Sequence, residues 1–294
     1  MGKRVVNYME AVQKIINGTK TLISPPDVWF RFNEAVSMPG STIQDISEIV
    51  KTDPSLVANI LKVVNSPFYG IRSKVDTISR AISIIGLDDL YNIITSVVAV
   101  NSFSRIPTTL VKPATFWRHS FCTAILAKKI AGQCGVLHTE RLYVVGLLHD
   151  IGSLLLYTSH PEISEQIINE SEGDEEVHYR IEKEKLGFTH SDIGAELLSN
   201  WGLPEVLTKT IKQHHEPCGD EEVVLDASII HLANSLSNNY ILGTYLEKIP
   251  EKSNTPDECI WDYIKLNDVQ KESIYDGLDE ELADAISILI PYNL

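Results

Sequence analysis

The sequence is poor in the residues that mark several common protein classes. Only four of its 294 residues are cysteine. Cys122, Cys134, Cys218 and Cys259 are widely spaced, and no two of them form a C-x-x-C pair. This spacing gives no sign of a zinc finger or a disulfide scaffold, and we expect a reducing cytosol as the compartment.

Basic residues are also scarce, with 25 Lys and Arg against 40 Asp and Glu and a net charge of −15. A protein held to nucleic acid by phosphate contacts needs a basic surface, and so does one that binds anionic membranes. We therefore expect neither nucleic acid nor membrane as a partner. The simplest role of the acidity is solubility, and a local metal site could still receive a phosphate-containing ligand.

The sequence lacks β-hairpin signals and any repeat of fixed period. Apolar residues instead recur at helical spacing along nearly the whole chain, as at Val5, Met9 and Val12. Asp53 followed by Pro54 is a strong helix start, because Asp is a good N-cap and proline fits the first helical position. The pattern predicts an all-α protein of roughly a dozen helices.

No long flexible linker divides the chain, and Arg105–Lys112 is the best internal boundary. The acidic stretch Ser171–Glu176 reads as an exposed loop or helix start with a solvated face. We predict an N-terminal helix over residues 1–22, an N-terminal helical lobe over 23–112, a metal-site lobe over 113–240 and a C-terminal helical extension over 241–294.

The most informative stretch is Leu142–Tyr157, an apolar run with His149 and Asp150 at its centre. It predicts a buried helix, because it is too apolar for a surface helix and too short and polar for a membrane span. A buried carboxylate is costly unless a cation or a full set of hydrogen bonds meets it. Adjacent helical residues point about 100° apart, so the pair could hold an ion. A buried His–Asp hydrogen bond without metal explains the pair equally well.

Nine histidines are present, and several fall where a metal centre could recruit them. Imidazoles with few carboxylates suit Fe, Mn, Ni, Zn or Co better than Ca or Mg. Each histidine alone has a structural explanation, such as a core hydrogen bond or a charge at a helix terminus. Together with the His149–Asp150 pair they favour a metal site. The candidate ligands are His119, His149, Asp150, His190, His214 and His215. We assign to the surface or to packing His138, His160, His178 and His231.

The ordered histidines around the His-Asp pair resemble the HD superfamily of metal-dependent phosphohydrolases. Three segments of the N-terminal half make the resemblance more specific. Ile49–Leu56 is similar to I-x-x-D-P-x-L, Val63–Gly70 to A-N-S-x-x-F/Y-G, and Ala81–Leu87 to A-I-x-x-L-G. From about Ile23 to Asn238 the chain therefore resembles the HDOD family, the HD-related output domains of bacterial signalling proteins.

The resemblance implies an HD-like multi-helix fold with an N-terminal helical lobe packed on it, and a role in cytoplasmic signal transduction. In active relatives, one or two metals polarise a phosphate and activate the attacking water without a protein nucleophile. It also implies the distribution of ligands, with Asp150 bridging the ions and acting as the catalytic residue if the protein is active. The first ion would be held by His119, His149 and Asp150, and the second by His190, His214 and His215.

Three positions depart from the pattern of active relatives. Asn234 stands where the family has its closing Asp, and it can offer a carbonyl oxygen to a metal but no charge. Ser153 stands where cyclic-dinucleotide phosphodiesterases have Lys. Cys218-Gly219-Asp220 stands where those enzymes have Gly-Tyr-Pro. Asp226 could replace the missing carboxylate, although an exposed or capping role is the simpler assignment.

Three functions follow from this pattern. The first is a bacterial output module that keeps an HD-type metal site, catalyses little or nothing, and binds a signalling protein through its N-terminal lobe. The second is an active metal-dependent phosphohydrolase or phosphodiesterase acting on a nucleotide or cyclic nucleotide. The third is a helical scaffold whose histidines are hydrogen-bonded and hold no metal. The loss of charge at Asn234 ranks the second below the first.

Overall fold

The computed structural model describes residues 2–104, 106, 109–219, 222–241 and 255–290. Within them the all-α prediction is confirmed, with sixteen α-helices and no strand. The helices outnumber the predicted dozen because several long apolar stretches are divided by short turns. The α-helices are α1 (Gly2–Ile23), α2 (Asp27–Ser37), α3 (Ile43–Lys51), α4 (Pro54–Val64), α5 (Ile78–Ile85), α6 (Leu87–Phe103), α7 (Pro113–Gln133), α8 (Glu140–Leu148), α9 (Ile151–Ser159), α10 (Pro161–Ser171), α11 (Glu175–Leu186), α12 (His190–Asn200), α13 (Glu205–Gln213), α14 (Val224–Tyr240), α15 (Asp268–Ser273) and α16 (Leu278–Leu289). Short 3-10 helices lie at Pro67–Tyr69 and Glu258–Asp262.

The chain forms two compact units, and parts of the predicted boundary and C-terminal extension lie outside the described residues. One unit contains residues 1–22 and 106–278, and we call it the histidine unit. The other contains residues 23–105 and 279–294, and we call it the N-terminal unit. Residues 105, 107, 108, 242–254 and 291–294 are among those that the structure does not describe.

Local polar contacts define the helix ends of the N-terminal unit. The Asp53 side chain accepts a hydrogen bond from the backbone N–H of Leu56 at 3.0 Å, with Pro54 at the first helical position. Asn65 bonds both backbone groups of Val75, accepting from its N–H at 2.8 Å and donating to its carbonyl at 2.7 Å. These contacts satisfy backbone groups that the helices leave open. The apolar core beneath them includes Trp29, Phe32, Val50, Ile60 and Leu90.

Two glycines set the helix packing of the histidine unit. A Cβ atom on Gly146 would lie 2.8 Å from the Cα atom of Ala124, so α8 can approach α7 this closely only because residue 146 has no side chain. A Cβ atom on Gly152 would lie 2.0 Å from the carbonyl oxygen of His190, which places α9 equally close to α12. The glycines therefore bring the His149–Asp150 segment against the helices that carry His119 and His190.

The prediction of one continuous helix over Leu142–Tyr157 is wrong. Helix α8 ends at Leu148 and α9 begins at Ile151, because Asp150 leaves the helical region with φ −101° and ψ 8°. By length and composition alone, Glu140–Ser159 could cross a membrane, but 83% of its apolar window is buried inside the fold. The segment is thus the buried centre of the histidine unit, as predicted, with a turn at the His-Asp pair.

The cysteines require a second correction. Cys218 and Cys259 form a disulfide, with their Cα atoms 6.5 Å apart and a separation of 41 positions in the sequence. The sequence spacing gave no sign of this pair, because only the fold brings the segment after α13 next to the 3-10 helix at Glu258–Asp262. Cys122 and Cys134 remain thiols.

Candidate metal centre

The carboxylate of Asp150 lies at the centre of a buried histidine cluster. Its Oδ2 atom is 3.1 Å from Nε2 of His149 and 3.8 Å from Nε2 of His119. Its Oδ1 atom is 3.2 Å from Nε2 of His190 and 3.5 Å from Nε2 of His214. The fifth imidazole, His215, places its Nε2 atom 3.1 Å from Nε2 of His190. The structure therefore brings together all six predicted ligands, and each oxygen of Asp150 faces a different pair of histidines.

Backbone carbonyl groups orient two of the five imidazoles. The Nδ1 atom of His149 lies 2.8 Å from the carbonyl oxygen of Gly146, and Nδ1 of His214 lies 2.6 Å from that of Ile211. A carbonyl oxygen only accepts, so each Nδ1 carries the proton. In the neutral form of each ring, Nε2 is then the unprotonated nitrogen, and it faces Asp150. This is the form in which a neutral imidazole binds a metal.

Carboxylates orient two others. Nδ1 of His190 lies 2.7 Å from Oε2 of Glu182, which also accepts from the His190 backbone N–H at 2.8 Å. Nδ1 of His215 lies 2.9 Å from Oε1 of Glu176. A carboxylate behind a metal-ligating imidazole fixes the tautomer and makes the ring a better donor. The remaining imidazole, His119, has the hydroxyl of Ser237 3.4 Å from its Nδ1 atom.

The buried Glu182 and its neighbours were missed in the sequence. Its second oxygen, Oε1, lies 3.2 Å from Nε2 of His178, whose Nδ1 atom is 3.3 Å from the hydroxyl of Ser171. His178 is therefore a buried supporting residue of the cluster, whereas the sequence pattern left it at the surface or in packing. The i, i+4 spacing of His178 and Glu182 on α11 was the available signal, because it places both on one helix face.

His231 likewise supports the cluster from behind. Its Nδ1 atom donates to the carbonyl oxygen of His214 at 2.8 Å, and its Nε2 atom accepts from the backbone N–H of Asp257 at 3.0 Å. This buried ring is a packing residue, as predicted. It also links the turn that carries His214 to Asp257, two residues before Cys259. His138 and His160 lie at the surface of the protein.

The geometry fits metal ions better than a metal-free hydrogen-bond network. Donor atoms fall into two groups that share Asp150, and within each group they all lie within 4.8 Å of one another. Metal–ligand bonds of about 2.1 Å place neighbouring donors roughly 3.0–3.5 Å apart, close to the separations seen here. Both oxygens of Asp150 and the Nε2 atoms of His149 and His214 are buried without a hydrogen-bond partner among the described residues. Such orphaned polar atoms are costly, and a divalent ion would satisfy them. The groups are His119, His149 and Asp150, and Asp150, His190, His214 and His215.

The protonation states agree with this fit. Burial alone would raise the pKa of Asp150, but the surrounding imidazoles, His149 first, hold it well below its usual value. Burial, with a smaller effect of His149, lowers the pKa of His119 to about 3. Burial also lowers the pKa values of His214 and His215. At neutral pH the site thus combines an ionised carboxylate with the neutral imidazoles of His119, His214 and His215.

His190 is the exception among the imidazoles. Burial opposes its charge, but Glu182 and Asp150 on either side raise its pKa well above the usual value. Without a metal, this ring carries a proton between two carboxylates. A metal ion bound at Nε2 would replace that proton, so metal binding at this group releases a proton.

The structure shows the contacts of Asn234, which departs from the family pattern, and of Asp226, the possible replacement for the missing carboxylate. The amide nitrogen of Asn234 donates to Oε2 of Glu175 at 2.7 Å. Asp226 forms an ion pair with Arg141 at 2.8 Å, so it does not replace the missing carboxylate. Glu175 belongs to the acidic stretch predicted to be solvated, but its side chain is buried. Ser153, also buried, lies in the first turn of α9.

The comparisons with known proteins identify the family. Residues 22–217 match the HDOD domain model, which covers more than half of the chain. The chain belongs to the HDOD family. An uncharacterized protein of Treponema pallidum (strain Nichols) is 28% identical over 230 residues, which are 76% of this chain and 44% of that protein. The chain thus spans less than half the length of this curated relative.

Solved structures share the fold. An HDOD domain protein of unknown function from Geobacter sulfurreducens aligns with a TM-score of 0.77 at 22% identity, covering 98% of this chain and 100% of that one. A candidate phosphohydrolase from Shewanella amazonensis SB2B aligns with a TM-score of 0.70 at 23% identity, covering 94% of this chain and 97% of that one. A candidate signal transduction protein from Marinobacter aquaeolei VT8 aligns with a TM-score of 0.68 at 22% identity, covering 98% of this chain and 64% of that one. At these identities the likeness establishes the fold alone.

Proposed function

We propose that the protein is a bacterial signal-transduction output module whose HD-type site holds one or two transition-metal ions and turns over little or no substrate. The observation that carries this proposal is the burial of the site, since each of the six candidate ligands is at most 2% exposed. Structural metal sites are closed, whereas catalytic sites keep an open coordination position that substrate can reach. A phosphoester would have no direct access to Asp150 in this arrangement.

The residues of the site would have two roles, holding the ions and orienting the imidazoles that hold them. The five imidazoles and Asp150 would hold the ions, and Glu182 and Glu176 would keep His190 and His215 in their donor forms. When bound, such ions supply Lewis acidity toward a phosphate. In the output role, they instead fix the positions of the helices that carry the ligands. Fe, Mn, Ni and Zn all suit this donor set.

The N-terminal unit is the proposed interaction half. Large apolar side chains are exposed on it, including Phe30 at 45%, Met38 at 57%, and Ile43 and Ile84 at 45% each. We propose these side chains as contacts for a protein partner. We propose a cytoplasmic signalling protein as that partner, in line with the family and with the candidate signal transduction protein that shares the fold.

A partner experiment tests the output role. The immobilised full chain should recover a protein with a receiver or kinase domain from bacterial lysate, and a variant with Phe30→Ser and Met38→Ser should not. Equal recovery by both would remove the N-terminal unit from the proposal. Failure of both to recover any signalling protein would argue against the output role itself.

A second function, phosphodiester hydrolysis, is favoured by the complete set of six ligands and by the candidate phosphohydrolase that shares the fold. An assay with bis(p-nitrophenyl) phosphate, supplying Mn, Fe, Ni and Zn in turn, separates the two. The output role predicts no more hydrolysis than in the Asp150→Asn variant. Rapid hydrolysis that Asp150→Asn abolishes would establish the enzyme and displace the output role.

A further inference from the structure

Glu175 is a buried acid beside the metal centre with one oxygen fully engaged. It is the first residue of α11 and only 8% exposed. Its Oε2 atom accepts two hydrogen bonds from α14, from the amide nitrogens of Asn234 at 2.7 Å and Asn238 at 2.6 Å. The two amides lie one helical turn apart, so α14 presents them together to a single oxygen. The carboxylate is thus held in one orientation.

The other oxygen of Glu175 has no such contacts. Oε1 is buried and has no hydrogen-bond partner among the described residues. Burial, and then the negative charges of Asp150 and Glu176, raise the pKa of Glu175 well above its usual value. The ionised form of Glu175 is therefore disfavoured unless a cation lies near it. The next residue, Glu176, contacts Nδ1 of His215, so this end of α11 lies beside the second ligand group. A buried, incompletely satisfied carboxylate is costly unless a cation is near it.

The other acids around the centre already have partners. Glu182 is engaged by His190, Glu176 by His215, and Asp226 by Arg141. Asp150 is the only carboxylate in the two ligand groups found among the described residues. Two divalent ions would therefore meet too little negative charge. Asn234, which sits beside the cluster, contributes an amide and no charge.

We propose that Glu175 is an additional anionic residue of the metal centre and supplies from α11 the charge that Asn234 on α14 lacks. The hydrogen bond between these two side chains places the acid on α11 next to the amide on α14. This inference rests on the proposed function in one respect, namely that the site binds divalent ions. It adds a residue that stabilises those ions.

The test is a calorimetric titration of Mn²⁺ into the metal-free full chain. Glu175→Gln keeps the size of the side chain and removes its charge, and it should weaken the more weakly bound ion about 10- to 100-fold, as outer residues of metal sites commonly do. Glu184→Gln, on the exposed face of the same helix, is the matched control and should leave the affinity unchanged. The double variant Glu175→Gln with Asn234→Asp returns a carboxylate from the other side of the contact and should restore most of the loss.

The outcomes separate this inference from the proposed function. If the wild-type chain binds no Mn²⁺, Zn²⁺, Ni²⁺ or Fe²⁺, both fail. If the wild type binds metal and Glu175→Gln binds it equally well, only the role of Glu175 is overturned. A loss that Asn234→Asp does not restore would show that Glu175 acts by packing rather than by charge.

A single variant provides a check that does not depend on the folding of Glu175→Gln. Asn234→Asp alone adds a second carboxylate beside Glu175. Metal should then raise the melting temperature of this variant more than that of the wild type, because the ions relieve the repulsion between the two acids. An equal or smaller rise would overturn the view that the site lacks negative charge.

Discussion

The two units of the molecule use their polar residues in opposite ways. In the N-terminal unit, Asp53 and Asn65 bond to backbone groups and leave nothing unsatisfied in those contacts. In the histidine unit, the side chains around Asp150 point at one another and leave buried donor and acceptor atoms without partners. The polar contacts of Asp53 and Asn65 are thus complete by themselves, whereas a cation would complete those around Asp150. The sequence motifs of the first unit serve the fold, and those of the second form a site.

The largest effect should come from removing the charge shared by both ligand groups. Asp150→Asn should reduce metal affinity by more than the roughly 10- to 100-fold typical of outer residues, because each of its oxygens faces a different group. The matched change in the other unit, Asp53→Asn, keeps an N-cap residue and should bind metal like the wild type. Calorimetric titration measures both. Equal metal affinities in the two variants would contradict the proposed difference between the histidine unit and the N-terminal unit.

A substitution of Glu182, which contacts His190, should weaken metal binding at one ligand group more than at the other. Glu182→Gln removes the negative charge behind His190 and should weaken the ion held with His214 and His215 about 10- to 100-fold. The ion held by His119 and His149 should be much less affected. A calorimetric metal titration that resolves two binding steps would measure the two affinities separately. Equal weakening of both ions would mean that the two groups act as one site.

Acid should destabilise the metal-free histidine unit. The pKa values of His119, His214 and His215 are lowered by burial, so the unfolded chain takes up more protons than the folded chain as pH falls below about 6.5. Stability from these residues is present above that pH and is lost on acidification. The raised pKa values of His190 and Glu175 act oppositely. That of His190 changes stability only above about pH 6.5, and that of Glu175 offsets part of the loss caused by the three histidines. The melting temperature of the metal-free chain should therefore fall between about pH 6.5 and pH 4.5. A constant or rising value would contradict the assignment of neutral buried imidazoles.

The smallest effect should come from the N-terminal unit. Asp53→Ala removes the N-cap of α4 and should cost about 1 kcal/mol of stability. Metal affinity should not change, because the residue serves only the backbone of its own helix. Urea unfolding and metal titration measure the two quantities. A loss of affinity in this variant would couple the two units in a way that the present account does not include.

Much of this fold could be predicted because its signals are local. The start of α4 at Asp53–Pro54 follows from short-range rules about hydrogen bonding and proline. The convergence of His119, His149, Asp150, His190, His214 and His215 was predicted from their order and from the family resemblance. Periodicity alone would not have placed them together.

The missed features all depend on contacts between distant segments. The turn at His149–Asp150 is stabilised by close packing at Gly146 and Gly152, which an apolar pattern does not reveal. Glu175 and Glu182 lie in charged sequence that usually faces solvent, and only the approach of α11 to α14 and α12 buries them. The Cys218–Cys259 pair was missed for the same reason.

Elemental analysis of the full chain, purified without chelator, tests the central claim most directly. The account predicts one or two equivalents of a transition metal in the wild type and almost none in Asp150→Asn. Less than about half an equivalent in the wild type, with the helical fold intact, would show that the buried histidines need no metal and would contradict the account.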